Sequence, residues 1–131
     1  MATLTPTLTI TSSDASADET LSLSVTDSLT IGAPQVGISK IAIAASSGTA
    51  SVLVPAGTEN QYVYIKHTGK QADGSTATAN EVCVELGGNT DLLRLKAEEF
   101  CFFSSKSSSA VEVLSSSSQT ITIEYAYWTS A

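Results

Sequence analysis

Few residues in this chain have the types and spacing to do chemistry. In Leu93-Arg94-Leu95-Lys96-Ala97-Glu98-Glu99-Phe100-Cys101-Phe102-Phe103, two adjacent carboxylates and a thiol stand against the densest aromatic run. A carboxylate pair could act as acid and base in glycoside hydrolysis, but that needs the two groups roughly 5–10 Å apart across a cleft. Adjacent Glu98 and Glu99 point to opposite faces of a strand or splay in a turn. The stretch therefore reads as a charged corner between two strands, with Phe100 and Phe102 buried and Cys101 and Phe103 on the other face, or the reverse.

His67 is the only histidine, at a strand end in phase with Val63 and Ile65, and no nucleophile elbow of the G-x-S-x-G type accompanies it. A satisfied structural histidine is the expectation, with no catalytic residues and no enzyme. Cys83 and Cys101 are the only cysteines. The start of the chain has no basic segment followed by an apolar one, which predicts folding in a reducing cytoplasm, where thiols stay free more often than they pair. One disulfide is the alternative, to be decided by intact mass with and without reductant. Zinc would need C-x-x-C or H-x-x-x-H spacing, which is missing. Asp14, Asp18, Glu19 and Asp73 are acidic loop tips that could hold calcium, yet no D-x-[DN]-x-[DN]-G pattern supports it. No metal and no cofactor is expected.

What would position any site is a series of short strands. Leu4, Leu8 and Ile10 alternate with Thr in "TLTPTLTI", where Pro6 removes a ladder donor and marks an edge strand or arm. "TLSLSVTDSLTI" keeps Leu21, Leu23, Val25, Leu29 and Ile31 in phase, a long half-buried strand or a bent pair. "GAPQVG" reads as a turn. In "VGISKIAIA" the apolar phase slips from Val36 and Ile38 to Ile41 and Ile43, which predicts a bulge or bend near Ser39-Lys40. "TASVLVP" is short, "QYVYIKH" is bulky in both phases and belongs inside a sheet or interface, and "TGKQADGSTATAN" is an exposed loop. "EVCVEL" turns through "GGNT" into "DLLRLK"; "FCFF", "AVEVL" and "QTITIEYAYW" follow between serine clusters.

Strands at this spacing predict an all-β fold, a single-domain antiparallel β-sandwich or jelly-roll-like barrel over residues 1–131, with residues 1–12 as an extended N-terminal strand or arm. Composition agrees. Of 131 residues, 42% are apolar and only 15% charged, with Ser and Thr supplying most of the rest. The net charge of -7 and six scattered Lys and Arg leave no basic stripe for phosphates, so nucleic acid is excluded as a partner. No apolar run approaches the ~18 residues of a spanning helix, so no membrane partner is expected.

The strands bulky in both phases carry the functional expectation. A small sandwich has one interior, so a second apolar phase must cover something else. The candidate interface residues are Leu4, Leu8, Ile10, Tyr62, Tyr64, Phe103 and Trp128. From "YVYIKHTG" through "LGGNTDLLRLKAEEFCFFSSK" to "VEVLSSSSQTITIEYAYWTSA", roughly residues 61 to 128, the cadence of strands and turns resembles the small all-β virion proteins of tailed bacteriophages. Ala97-Glu98-Glu99 stands where a Gly-Glu pair is typical of them. The resemblance implies a structural virion protein, made in the host cytoplasm. It would be a capsid decoration or cement protein on the capsid exterior, with the major capsid protein as partner and a homo-oligomer, a trimer by analogy. Tail and fibre components and glycan-binding receptor modules share the style. An N-terminal arm pairing with the shell implies that deleting residues 1 to 12 weakens lattice binding and spares the core.

Overall fold

The structure, a computed structural model, describes residues 2–12, 22–88, 91–106 and 108–131. Asp14, Asp18 and Glu19, and the Asn89-Thr90 part of the "GGNT" turn, lie outside the described residues. The elements are β1 (Ala2–Leu4), β2 (Thr7–Thr11), β3 (Ser22–Thr26), β4 (Leu29–Ile43), β5 (Ser51–Val54), β6 (Gln61–Gln71), β7 (Val82–Leu86), β8 (Asp91–Leu95), β9 (Phe100–Ser105), β10 (Val111–Ser115) and β11 (Ile121–Ser130). They form a five-stranded sheet in the order β1-β4-β11-β6-β9, a four-stranded sheet β5-β10-β7-β8, and a separate ribbon β2-β3.

The antiparallel pairs β7–β8, β6–β9, β5–β10 and β4–β11 nest around the β7–β8 hairpin. The chain thus folds back on itself once and then rolls up, the roll being closed by β11 on β6 and β10 on β7. That is the jelly-roll arrangement, the all-β sandwich that the strand spacing predicts. The core between the sheets is a layer of small branched side chains. Val63, Ile65, Ile121 and Ile123 come from one sheet and Val82, Val84, Val111 and Val113 from the other, all with no exposed surface. β-branched residues suit the pleat and pack face to face, each stabilising by about 1.5–3 kcal/mol on burial.

Several local expectations change. "GAPQVG" is no turn: residues 32–37 lie within β4. Thr129 pairs with Gly32 and Trp128 with Gln35, so Ala33 and Pro34 are absorbed as extra residues where no ladder donor is required. The phase slip resolves just before the predicted point, as one extra residue of β4 between Val36 and Ser39. β6 runs on through Thr68-Gly69-Lys70-Gln71, because Lys70 and Gln71 pair with Thr122 and Ile121 of β11, and only the rest of that polar stretch is loop. "TLSLSVTDSLTI" is the bent pair, broken at Asp27-Ser28, whose first arm β3 is exposed throughout.

The corner between β8 and β9 is built without glycine. Glu98 takes the left-handed backbone, φ 69°, and the Glu99 N–H donates to the Lys96 carbonyl at 3.0 Å. The Glu99 carboxylate in turn accepts from the Lys96 N–H at 2.8 Å. A side chain in that region costs about 1–2 kcal/mol, part of which glycine returns through its looser unfolded state. Glu98→Gly is therefore expected to stabilise the fold by about 0.5–1 kcal/mol, seen as a melting temperature about 2–4 °C higher. The lost ion pair to Lys66, 3.7 Å and exposed, counts for little. An unchanged or lower melting temperature would show that the turn tolerates Glu98 at no cost.

Candidate interaction surface

Pro6 splits the N-terminal segment between two sheets. β1 pairs with β4, Leu4 opposite Leu29, at the edge of the five-stranded sheet, whereas β2 pairs, among the described residues, only with β3. Leu4 therefore shares no face with Leu8 and Ile10, a correction to the single apolar face read from "TLTPTLTI". Leu4 is half-buried, while Leu8 and Ile10 are exposed. In the ribbon Leu8 opposes Val25 and Ile10 opposes Leu23, so four apolar side chains line one face. The other face is hydroxylic, with Thr7 and Thr26 Oγ1 3.0 Å apart and Thr9 Oγ1 3.4 Å from Ser24 Oγ.

That apolar face is uncovered, with exposures of 49% for Leu8, 42% for Ile10, 40% for Leu23 and 53% for Val25. A two-stranded ribbon is marginal in water on its own. At its base, Leu8 and Val25 face Tyr62, Phe102 and Phe103 across an apolar groove of about 430 Å³.

The outward face of the five-stranded sheet continues this surface. Tyr62 and Phe102 stack with ring centroids 6.5 Å apart. Trp128 pairs with Tyr62 in register, and the Tyr64 hydroxyl donates to Glu124 Oε1 at 3.1 Å. Burial and the nearby Glu124 carboxylate raise the Tyr64 phenol above its ordinary range. Tyr62, Tyr64 and Trp128 are half-buried in their own sheet rather than fully presented. Phe103 packs against the core with Cys101 and also lines the groove, whereas Phe100 and Phe102, 61% and 41% exposed, are the aromatic residues β9 offers outward. Which phase faced out could not be read from Phe100-Cys101-Phe102-Phe103, because both phases are apolar.

The residues with chemical potential are separated from one another. His67 has no exposed surface; its Nε2 donates to the Asn80 carbonyl at 2.7 Å and its Nδ1 accepts from the Gly69 N–H at 2.9 Å. Both ring nitrogens are thus occupied in the neutral tautomer, which leaves neither free for a substrate. Glu98 and Glu99 are exposed at the corner, docked to His67 only through backbone bonds. Asp73 caps its own loop, accepting from the Ser75 and Thr76 N–H groups at 2.8 Å each and from the Thr76 hydroxyl, which hold its carboxyl down at about 2. Among the described residues no three His, Cys, Asp or Glu converge as a metal site.

Cys83 and Cys101 lie in different sheets and both are free thiols. Burial pushes Cys101 up to about 11; burial also raises Cys83, against the pull of Arg94. At pH 8 Cys101 should react with iodoacetamide at least about a hundredfold more slowly than an ordinary thiol, since only the thiolate attacks. Rapid modification of the folded protein at Cys101, located by peptide mass, would contradict this placement.

No protein-family model, curated protein or solved structure matches this chain.

Proposed function

We propose that this chain is a non-enzymatic structural protein of a tailed-bacteriophage virion, a capsid decoration or cement protein that binds the outer face of the major capsid lattice. The single observation that carries the proposal is the ribbon of β2 and β3, which holds Leu8, Ile10, Leu23 and Val25 in solvent on one face. Apolar side chains lined up on a projecting ribbon serve no core and are what a docking element requires. A sheet whose candidate chemical groups are consumed by internal hydrogen bonds, as at His67, supports a binding role over catalysis. Jelly rolls host capsid and lectin domains among other functions, so the architecture is compatible with this role without selecting it.

The cement reading comes from the resemblance of residues 61 to 128 to such proteins. In that role the ribbon meets the shell, and the stacked Tyr62 and Phe102 beside its base extend the contact. Copies of the chain meet one another as a homo-oligomer. The deciding experiment is co-sedimentation of the purified protein with capsid shells stripped of their native copies. Saturable binding at the stoichiometry of one class of lattice sites is expected. Absence of binding, with the protein recovered only in tail fractions, would replace cement with a tail or fibre role.

A further inference from the structure

Three of the six cationic residues line one cavity of about 360 Å³ on the outward face of the five-stranded sheet. Strand register puts them there: Lys40 of β4 opposes Glu124 of β11, which opposes Lys66 of β6, and Lys70 opposes Thr122 one step along. With Glu98 at the rim, three ammonium groups against two carboxylates leave the cavity at +1, in a chain whose net charge is -7. Lys66 is held 3.7 Å from Glu98 Oε2. Lys40 and Lys70 form no ion pair with any of the described residues.

The remaining lining groups are specialised for a different task. The Thr68 hydroxyl already donates to the Thr122 carbonyl, and the Thr122 hydroxyl donates to the Gln71 carbonyl at 2.9 Å. Each hydroxyl thus turns only lone pairs toward the cavity. Glu124 keeps one oxygen beyond its bond from Tyr64, and Glu98 is likewise an acceptor. The cavity therefore presents acceptors along its floor and rim, together with two uncommitted ammonium groups.

We infer that this cavity binds an acidic saccharide, with the sugar carboxylate on Lys40 and Lys70 and the ring hydroxyls donating to Thr68, Thr122, Glu98 and Glu124. A ligand that matches both halves must carry several O–H donors and one carboxylate. Inorganic phosphate supplies charge but few donors and meets the two glutamates with repulsion, and an acidic peptide is poor in hydroxyls. Every group but Glu98, which lies on the corner between β8 and β9, sits on the adjacent strands β4, β11 and β6, so the site needs little reorganisation on binding. It is separate from the ribbon and requires nothing of the shell-binding reading.

The test is a titration of the ¹⁵N-labelled full chain followed by amide shifts, with D-glucuronate, D-glucose, inorganic phosphate and triglutamate as probes. Glucuronate should give saturable shifts at Lys40, at residues 66–70 and at Thr122 and Glu124. The Lys40→Ala/Lys70→Ala variant should bind it at least about tenfold more weakly, as the loss of charge-assisted hydrogen bonds requires. Both lysines lie on the sheet surface, so an unchanged melting temperature would certify the variant. Glucose binding as well as glucuronate would overturn the role of the lysines, and phosphate or triglutamate binding as well would overturn the sugar assignment. No saturable shift at tens of millimolar glucuronate, or equal binding by the double variant, would overturn the site itself.

Discussion

His67→Ala is expected to destabilise the protein by about 3–5 kcal/mol, lowering the melting temperature by roughly 10–20 °C. The ring is fully buried between β6 and the loop leading to β7, and it links them through two bonds, from Gly69 N–H into Nδ1 and from Nε2 to the Asn80 carbonyl. Alanine removes the acceptor of one buried backbone donor and the donor to one carbonyl, and leaves a cavity the size of an imidazole. An unpaired buried group costs about 1–3 kcal/mol, and the cavity adds its own cost. His67→Gln, which has both an acceptor and a donor, should recover part of the loss. Thermal unfolding of the three proteins by circular dichroism measures it. A loss under about 1 kcal/mol for alanine would mean that water replaces the ring without cost and that His67 is no structural link.

The second large effect concerns binding. Ile10→Thr/Val25→Thr should leave the melting temperature within about 2 °C of the parent, because both side chains are exposed on the ribbon and threonine keeps the β-branched shape. Affinity for stripped shells should nevertheless fall about a hundredfold or more, since truncating a central apolar anchor typically costs about 2 kcal/mol or more. Quantitative co-sedimentation against shell concentration checks it, and undiminished occupancy would remove the ribbon from the interface. The substitution is cleaner than deleting residues 1 to 12. That deletion would also strip β1 from the edge of β4 and leave β3 without a partner, so lost binding could reflect lost structure.

The two experiments concern different parts of the chain, and the contrast bears on what sequence patterns can reveal. His67 shared the phase of Val63 and Ile65, and period-two alternation is enough to place all three in the core. The same logic placed β7, β10 and β11 and the hairpin from β7 to β8. It failed at Gly32 to Gly37, where Gly and Pro signal a turn but the register shift of a long strand absorbs them. It also left the phase of β9 open. Alternation identifies a buried phase only when the other phase is polar, and the β9 residues Phe100, Cys101, Phe102 and Phe103 are apolar in both.

The lysine-lined cavity lay beyond sequence reading for a related reason. Lys40, Lys66 and Lys70 look scattered along the chain, and only the pairing of β4, β11 and β6 brings them to one face. Likewise Leu8 and Ile10 were legible as an apolar stripe, but their counterparts Leu23 and Val25 join it through the register of β2 on β3.

By itself, then, the sequence determined the all-β class and most of the strands, and set its one histidine in phase with Val63 and Ile65. These follow from side-chain branching and alternation, which act locally along each strand. Tertiary structure alone decided the order of the sheets, the phase of β9, the separation of the β2–β3 ribbon from the sandwich and the gathering of the lysines. Each of those depends on contacts between residues far apart in the chain, whose register is fixed by the burial of a common core.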